Sequence, residues 1–317
     1  MQPYIAIIVL HYKNLSDTRE CLQSLQKIDY PAFSVIVVNN DAPNHGQILK
    51  KEFGDFITLI QNKENLGFSE GNNIGIRSAL ADKSIDAVFL LNNDTVIDPN
   101  ILRAVAAMDG DMIAVRMMQF DNRDAIDNLG IELMAWSGLP FNRRDDKAKL
   151  FCPCGGAAFY SRKLLEVIAT KGWFFDPLFY AYAEDLDLGF RARLAGFSAL
   201  YTPEAAVYHK GSAATAKMSD FAVYHTYRNL IWTHFKNTPL LLLLWQLPCL
   251  AIGWIFLFCL YTAKGQGLTI WRAFFDGIVG LRLFLPRRAA IQKKYQVSSR
   301  TILSWFAPGL FPKNYWR

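Results

Sequence analysis

Four short apolar runs recur along the first ninety residues, at 4–10, 33–38, 56–61 and 87–91, and the stretches between them carry helical spacing. Between the first two, residues 16–27 set Leu22 and Leu25 on one face behind Leu15, with Ser16 or Asp17 expected as the N-cap. A helix reaching Ala81 follows the third run. Repeated strand–helix units of this length fold as a mostly parallel, doubly wound sheet, so the chain is expected to be α/β.

The ends of these strands are polar. Residues 88–91 run straight into Asn92-Asn93-Asp94, and the second strand ends in Asn39-Asn40-Asp41. A parallel strand that ends in a carboxylate presents it at the sheet edge where open α/β sheets bind ligands. One anion flanked by amide oxygens can hold a divalent cation, and the cation a diphosphate. The same triplet is also an ordinary turn at a strand end.

Three further segments carry chemistry. Residues 65–75 space Gly67, Gly71 and Gly75 ahead of a helix, which lets backbone approach an anion, although the pattern is not GxGxxG. Residues 184–195 read as a charged helix on which Asp187 and Arg191 share a face. Glu184, Asp185 and Asp187 suit a helix start. Their mutual repulsion is also the setting in which one of them serves as a base. His209 follows a strand-like run and precedes Lys210-Gly211, whereas His11, His45, His225 and His234 read as structural on their local context alone.

In order and spacing these segments resemble the family 2 glycosyltransferases of GT-A fold, and within them the rhamnosyltransferase-like branch. The matching pieces are His11-Tyr12, residues 37–41, residues 65–75, residues 91–94, Gly155-Gly156-Ala157, Glu184-Asp185 through Arg191 and Gly196, and His209-Lys210-Gly211, spanning about 4–235. The resemblance implies a donor site formed by His11, Asn39, Asn40, Asp41, Asn65, Gly67, Phe68, Gly71, Asn72, Asn92 and Asn93, with Asp41 on the base of a dTDP- or UDP-linked sugar. It implies Asp94 and His209 at a Mg²⁺ or Mn²⁺ ion, Gly155 and Gly156 on the acceptor side, and the Glu184-Asp185 pair as catalytic, with Asp185 as base. Asn92 stands where the family's Asp-x-Asp motif begins. The Gln-x-x-Arg-Trp motif of processive synthases is absent, and Tyr224-His-Thr-Tyr-Arg-Asn229 lies in its region, which favours addition of one sugar. The implied activity is inverting transfer to a lipid-linked or glycan acceptor in cell-surface polysaccharide assembly. A non-catalytic nucleotide-sugar-binding subunit is the competing class, with Asn92 as its mark of decay. A sugar nucleotidyltransferase lacks its glycine- and Arg-rich N-terminal signature here.

Residues 114–151 look irregular, and a helix is expected over 161–169. The composition then shifts. Residues 239–263 carry no charge, a length sufficient to cross a bilayer, and Pro248 offers a break that would fold the segment into a re-entrant or interfacial hairpin. Residues 264–317 hold ten Lys/Arg against one acid, Asp276, a net of +9 that leaves −3 of the chain's +6 for residues 1–263. Basic charge set among Trp, Phe and Leu fits lipid head groups rather than nucleic acid. Residues 1–235 are therefore expected as the catalytic domain and 236–317 as a helical region touching a membrane surface through 239–300, on the cytoplasmic face of the inner membrane. No signal peptide is expected, since residues 5–10 form a strand-like run without a basic region or cleavage site before it. Cys21, Cys152, Cys154, Cys249 and Cys259 suggest neither a disulfide framework nor a zinc site.

Overall fold

The computed structural model describes residues 2–211, 218–295 and 297–312. In chain order it runs β1 (Ile5–His11), α1 (Leu15–Leu25), β2 (Phe33–Asn39), α2 (Pro43–Phe53), β3 (Ile57–Gln61), α3 (Gly67–Ala81), β4 (Ala87–Asn92), β5 (Thr95–Ile97), α4 (Ile101–Ala106), β6 (Met112–Gln119), β7 (Ile126–Asn128), β8 (Ile131–Leu133) and β9 (Pro140–Asn142). There follow β10 (Ala157–Ser161), α5 (Arg162–Ile168), α6 (Glu184–Leu194), β11 (Ala199–His209), α7 (Asp220–Asn237), α8 (Leu240–Ala263), α9 (Gly267–Lys294) and α10 (Ser299–Trp305).

The main sheet has the order β3-β2-β1-β4-β10-β6-β11-β5. The first four strands are parallel, β10 runs antiparallel between β4 and β6, and β5 runs antiparallel to β11. Central strands are apolar on both faces because helices cover both. Ala6, Ile8 and Leu10 pack with Ile76 and Ala79 of α3, while Ile5, Ile7 and Val9 pack with Cys21 and Leu22 of α1 and Leu49 of α2. The chain steps outward from β1 to β3 and returns to β4, so the connections diverge between β1 and β4. That divergence opens the ligand crevice of such sheets. Register places His11 opposite Asn39 and Leu10 opposite Asn92, which brings the strand ends level.

Several sequence expectations change. α1 starts at Leu15 behind Asn14, with no side-chain cap from Ser16 or Asp17. Lys13 and Asn14 turn with φ of 58° and 20°, Ser16 donates to Asn14, and Asp17 pairs with Lys210. Residues 67–75 are not a loop but the first turns of α3. A Cβ on Gly71 would lie 2.5 Å from Leu10 Cδ1 and 2.8 Å from Asn40 Nδ2, so Gly71 serves the close packing of helix on sheet. The irregular span 114–151 holds most of β6 and the three-residue strands β7, β8 and β9, the last three too short for alternation to reveal. α8 continues through Pro248 as one helix, without the expected break. The boundary expected at 235/236 falls in the last turn of α7, and Lys236 beyond it is buried against Asp176 and Asp187.

Candidate active site

Three groups of polar side chains gather at the C-terminal ends of β1, β2 and β4. The first centres on Asp41, whose Oδ2 accepts from the Lys13 N–H at 3.0 Å and lies 3.0 Å from His45 Nδ1. Burial alone would raise this carboxyl, yet the N–H groups of Ala42 and Lys13, with His45 and His11 nearby, hold it below the usual carboxylate range. His11 is fully buried, with Nδ1 2.6 Å from Thr18 Oγ1 and Nε2 3.2 Å from His45 Nδ1. Burial and the neighbouring His45 lower its pKa to about 4, so it is neutral at physiological pH. Ligating atoms of His11, Asp41 and His45 lie within 4.8 Å of one another, a set that could take a metal ion. His45, which reads as structural in the sequence, is thus drawn into the site four residues after Asp41.

Asn39 and Asn40 are fully committed inside the protein. Asn39 donates to Ala42 O and Gln61 Oε1 and accepts from Asp41 N–H, which shapes the turn that presents Asp41. Asn40 donates to Gly67 O at 2.9 Å and accepts from Asn62 at 2.6 Å, joining the end of β2 to the start of α3. Asn65 accepts from Gly67 N–H, and Asn72 donates back to Phe68 O. Asn93 points to Thr18, to which it donates at 2.9 Å. These asparagines build the walls of the crevice.

The second group is Asp94, His209 and Asp127. His209 Nδ1 is 2.8 Å from Asp127 Oδ2 and Nε2 is 3.3 Å from Asp94 Oδ1. Burial opposes the charge on His209, but its hydrogen bonds to Asp127 and Asp94 raise the pKa to about 10. The two ring nitrogens lie on opposite edges of the imidazole, so Asp127 stands behind His209 and orients it toward Asp94. This is the carboxylate–histidine arrangement that supports metal ligands. Once a divalent cation displaces the proton on Nε2, Asp94 and His209 would hold it. Asp127 comes from the β7 segment that sequence reasoning missed, and no local pattern marks it.

The third group lies at the head of α6. Asp185 Oδ2 accepts from Gly155 N–H at 2.9 Å and Oδ1 from Leu186 N–H at 2.7 Å. A Cβ on Gly155 would sit 3.4 Å from both Asp185 Cβ and Phe68 Cε1, and one on Gly156 3.2 Å from Asn92 Nδ2. The structure therefore brings Phe68, Asn92, Gly155, Gly156 and Asp185 together. Burial raises the Asp185 carboxyl, and its backbone N–H bonds pull it partly back. Asp185 keeps part of its surface open, whereas Glu184 is buried, its carboxyl pushed well above the usual range by burial and by Asp185. Asp187 faces inward, 3.0 Å from Arg191 Nε and 2.7 Å from Lys236 Nζ, and Lys236 also meets Asp176 at 3.0 Å. The repulsion among three close acids is thus relieved by sending each to a different environment.

The loop that feeds α6 is strained. Tyr180, Tyr182 and Ala183 have φ of 64°, 69° and 62°, a region that costs a non-glycine residue about 1–3 kcal/mol. Buried Asn229 of α7 holds it, with Nδ2 2.9, 2.8 and 2.7 Å from the carbonyls of Phe179, Ala181 and Tyr182. Asn229 Oδ1 accepts from Arg228 Nε, which fixes the orientation of the amide. Its only trace in the sequence is an amide inside the otherwise apolar run after Arg228.

Residues 3–229 match the family model described as Glycosyltransferase like family 2. Among solved structures, the chain is similar to TarS 1-349 of S. aureus (TM-score 0.51, 18% identity, covering 75% of this chain and 67% of that one). It is also similar to the mannosyltransferase PcManGT of Pyrobaculum calidifontis, in complex with GDP-Man and Mn²⁺ (0.54, 16%, 94% and 89%). GalNAc-T7 with UDP, GalNAc and Mn²⁺ resembles it as well (0.57, 13%, 74% and 48%). TarS 1-349 has also been solved in complex with UDP and with UDP-GlcNAc. At these identities the likeness is one of fold, and the fold is GT-A. No curated protein matches the chain.

Proposed function

Because the chain belongs to the family 2 glycosyltransferases, we propose that it moves a single sugar from a nucleotide-diphosphate sugar to an acceptor hydroxyl, inverting the anomeric carbon. The observation that carries this reading is the head of α6, where Asp185 stays partly open beside Gly155 while Glu184 turns inward. Asp185, oriented by two backbone N–H groups, takes the hydroxyl proton as that oxygen attacks the anomeric carbon. The bond to the diphosphate breaks with its electron pair leaving on the phosphate oxygen. With Glu184 buried, the Glu184-Asp185 pair offers no second carboxylate as a nucleophile, and one displacement inverts the centre.

Asp94 and His209 would hold Mg²⁺ or Mn²⁺, with Asp127 orienting the imidazole. Bound there, such an ion offsets the charge that develops on the departing diphosphate. The nucleotide ligands of the TarS and mannosyltransferase structures support a nucleotide-sugar donor. The donor is dTDP- or UDP-linked, with rhamnose the sugar to which the motif resemblance points. The acceptor is a lipid-linked or glycan chain in cell-surface polysaccharide assembly.

The catalytic half works from the cytoplasmic face of the inner membrane, attached through α8 and α9. α8 is long and apolar enough to cross a membrane, and little of it is buried. Gln246 Nε2 donates to Ala135 O at 2.8 Å, and the Tyr261 hydroxyl meets that of Tyr227 at 2.9 Å. Those fifteen residues cover roughly 22 Å of helix at 1.5 Å each. A helix docked on the protein along such a length lies against the bilayer rather than through it. Arg287 and Arg288 of the basic tail are used internally, on Asp176 and on the carbonyls of Phe235 and Thr238, while Lys264, Arg272, Arg282, Lys293 and Arg300 are exposed.

The test is turnover of a nucleotide-sugar panel, dTDP-rhamnose included, with Mg²⁺ or Mn²⁺. Asp185→Asn should lower turnover by about 10²–10⁴ while nucleotide binding persists. Full turnover in that variant removes Asp185 as base. Binding without turnover of any donor by the unmodified chain favours the non-catalytic subunit.

A further inference from the structure

A cleft of about 460 Å³ opens between α7, α8 and α9, apart from the nucleotide crevice. Leu230, Ile231, Leu247, Leu250, Trp254 and Phe274 are among the residues on its walls. His234 also lines it, neutral because burial lowers its pKa to about 4, and Nε2 is fixed by the Gly138 carbonyl at 2.6 Å. No charged side chain lines the cleft. An apolar cavity stays dry and takes apolar guests. The volume is large enough to admit a stretch of hydrocarbon chain.

What surrounds the cleft names its occupant. Outside the cleft, α8 and α9 expose Leu241, Trp245, Ile252, Leu268 and Phe275, large apolar side chains of the kind that face lipid or a partner. The exposed cations Arg272 and Arg282 sit on the same helix as Leu268 and Phe275, the pairing expected at an anionic lipid surface. A guest entering from that side comes out of lipid. Its other end is set by α7. Asn229 grips the loop before Asp185, and the next two residues, Leu230 and Ile231, form cleft wall. One helix thus joins the apolar cleft to the segment that positions the base.

We propose that this cleft binds the hydrocarbon chain of the lipid that carries the acceptor, so that the enzyme's acceptor is lipid-linked. The inference rests on the transferase reading above and narrows its acceptor class. Gly253 lines the cleft, and a Cβ added there meets nothing within 4 Å, so Gly253→Trp is the variant chosen to fill the space.

The full chain on phosphatidylcholine vesicles is labelled with a trace of a diazirine-bearing hexadecyl phosphate, and the cross-linked peptides are mapped. Label should concentrate on peptides containing Leu230, Leu250 and Trp254 and fall at least fivefold in Gly253→Trp, with Ala251→Phe as a second filling variant. A polyprenyl phosphate should displace it at a mole fraction where added phosphatidylcholine does not. Three results overturn the proposal: label spread evenly over the outer faces of α8 and α9, equal labelling in both filling variants with unchanged thermal midpoints, or equal displacement by the two lipids. Nucleotide-sugar hydrolysis by the same samples reads the transferase site separately. Hydrolysis by the unmodified chain with no label in its cleft refutes only the cleft, and labelling of that chain without hydrolysis refutes only the catalytic reading.

Discussion

Replacing Asn229 by aspartate removes the donors that hold the loop before α6 while keeping the shape of the side chain. In the protein, one amide nitrogen faces the carbonyls of Phe179, Ala181 and Tyr182. Arg228 Nη2 still reaches Phe179 O at 3.2 Å, so Asn229→Asp leaves two carbonyls without a donor. Each costs about 1–3 kcal/mol, which puts the loss of both at about 2–6 kcal/mol. At roughly 2–4 °C of Tm per kcal/mol, the midpoint should fall by about 4–24 °C. The loop would then relax from its left-handed conformation at Tyr180, Tyr182 and Ala183, carrying Asp185 with it. A misplacement of about 1 Å costs on the order of 100-fold in turnover. The effect should fall on kcat more than on nucleotide affinity, because Asp41 lies on a separate wall. Differential scanning fluorimetry and steady-state transfer kinetics measure the two losses. Asn229→Asp with unchanged Tm and unchanged kcat would refute the reasoning, since no other side chain among the described residues holds all three carbonyls.

Lys236→Met strips the shared cation from Asp176 and Asp187 and should cost about 3–5 kcal/mol in a urea titration. A loss under 1 kcal/mol would show that Arg191, Asn237 and Arg287 suffice. Glu184 has a raised carboxyl and an Oε2 without a hydrogen-bond partner among the described residues. The native state therefore holds its proton where the unfolded chain releases it, and stability is lost as pH rises above about 4.5. Glu184→Gln should remove that part of the slope, raising Tm at pH 8 and leaving it unchanged at pH 4; equal slopes in both proteins contradict the assignment. Asp127→Asn should weaken Mn²⁺ binding in the presence of nucleotide by about 10–100-fold, read by electron paramagnetic resonance. Unaltered affinity would make Asp127 a bystander.

The sheet was legible because β1, β2 and β4 are buried on both faces and their apolar runs need no partner to be seen. The carboxylates Asp41, Asp94 and Asp185 were legible because strand ends and helix starts carry punctuation. Residues 67–75 were misread because glycine signals both loops and close helix–sheet contact, and only the neighbouring Leu10 and Ile8 decide between them. Asp127 and Asn229 were invisible because their partners lie 82 and 47 to 50 residues away, beyond any local pattern. Asp187 read correctly as the partner of Arg191, but Lys236 as its second cation depends on how α7 packs.

The buried cluster of Asp176, Asp187 and Lys236 also imposes an order of assembly. Lys236 is made 60 residues after Asp176, and Asn237, which donates to Asp187, 50 residues after it. While the nascent chain ends short of them, α6 carries an acid that has only Arg191 to answer it. The missing partners arrive at the end of α7, three or four residues before the apolar helix α8 begins. α6 therefore matures as the chain emerging from the ribosome starts to expose the apolar helix α8. A product released earlier would carry the motifs of the enzyme without a settled site.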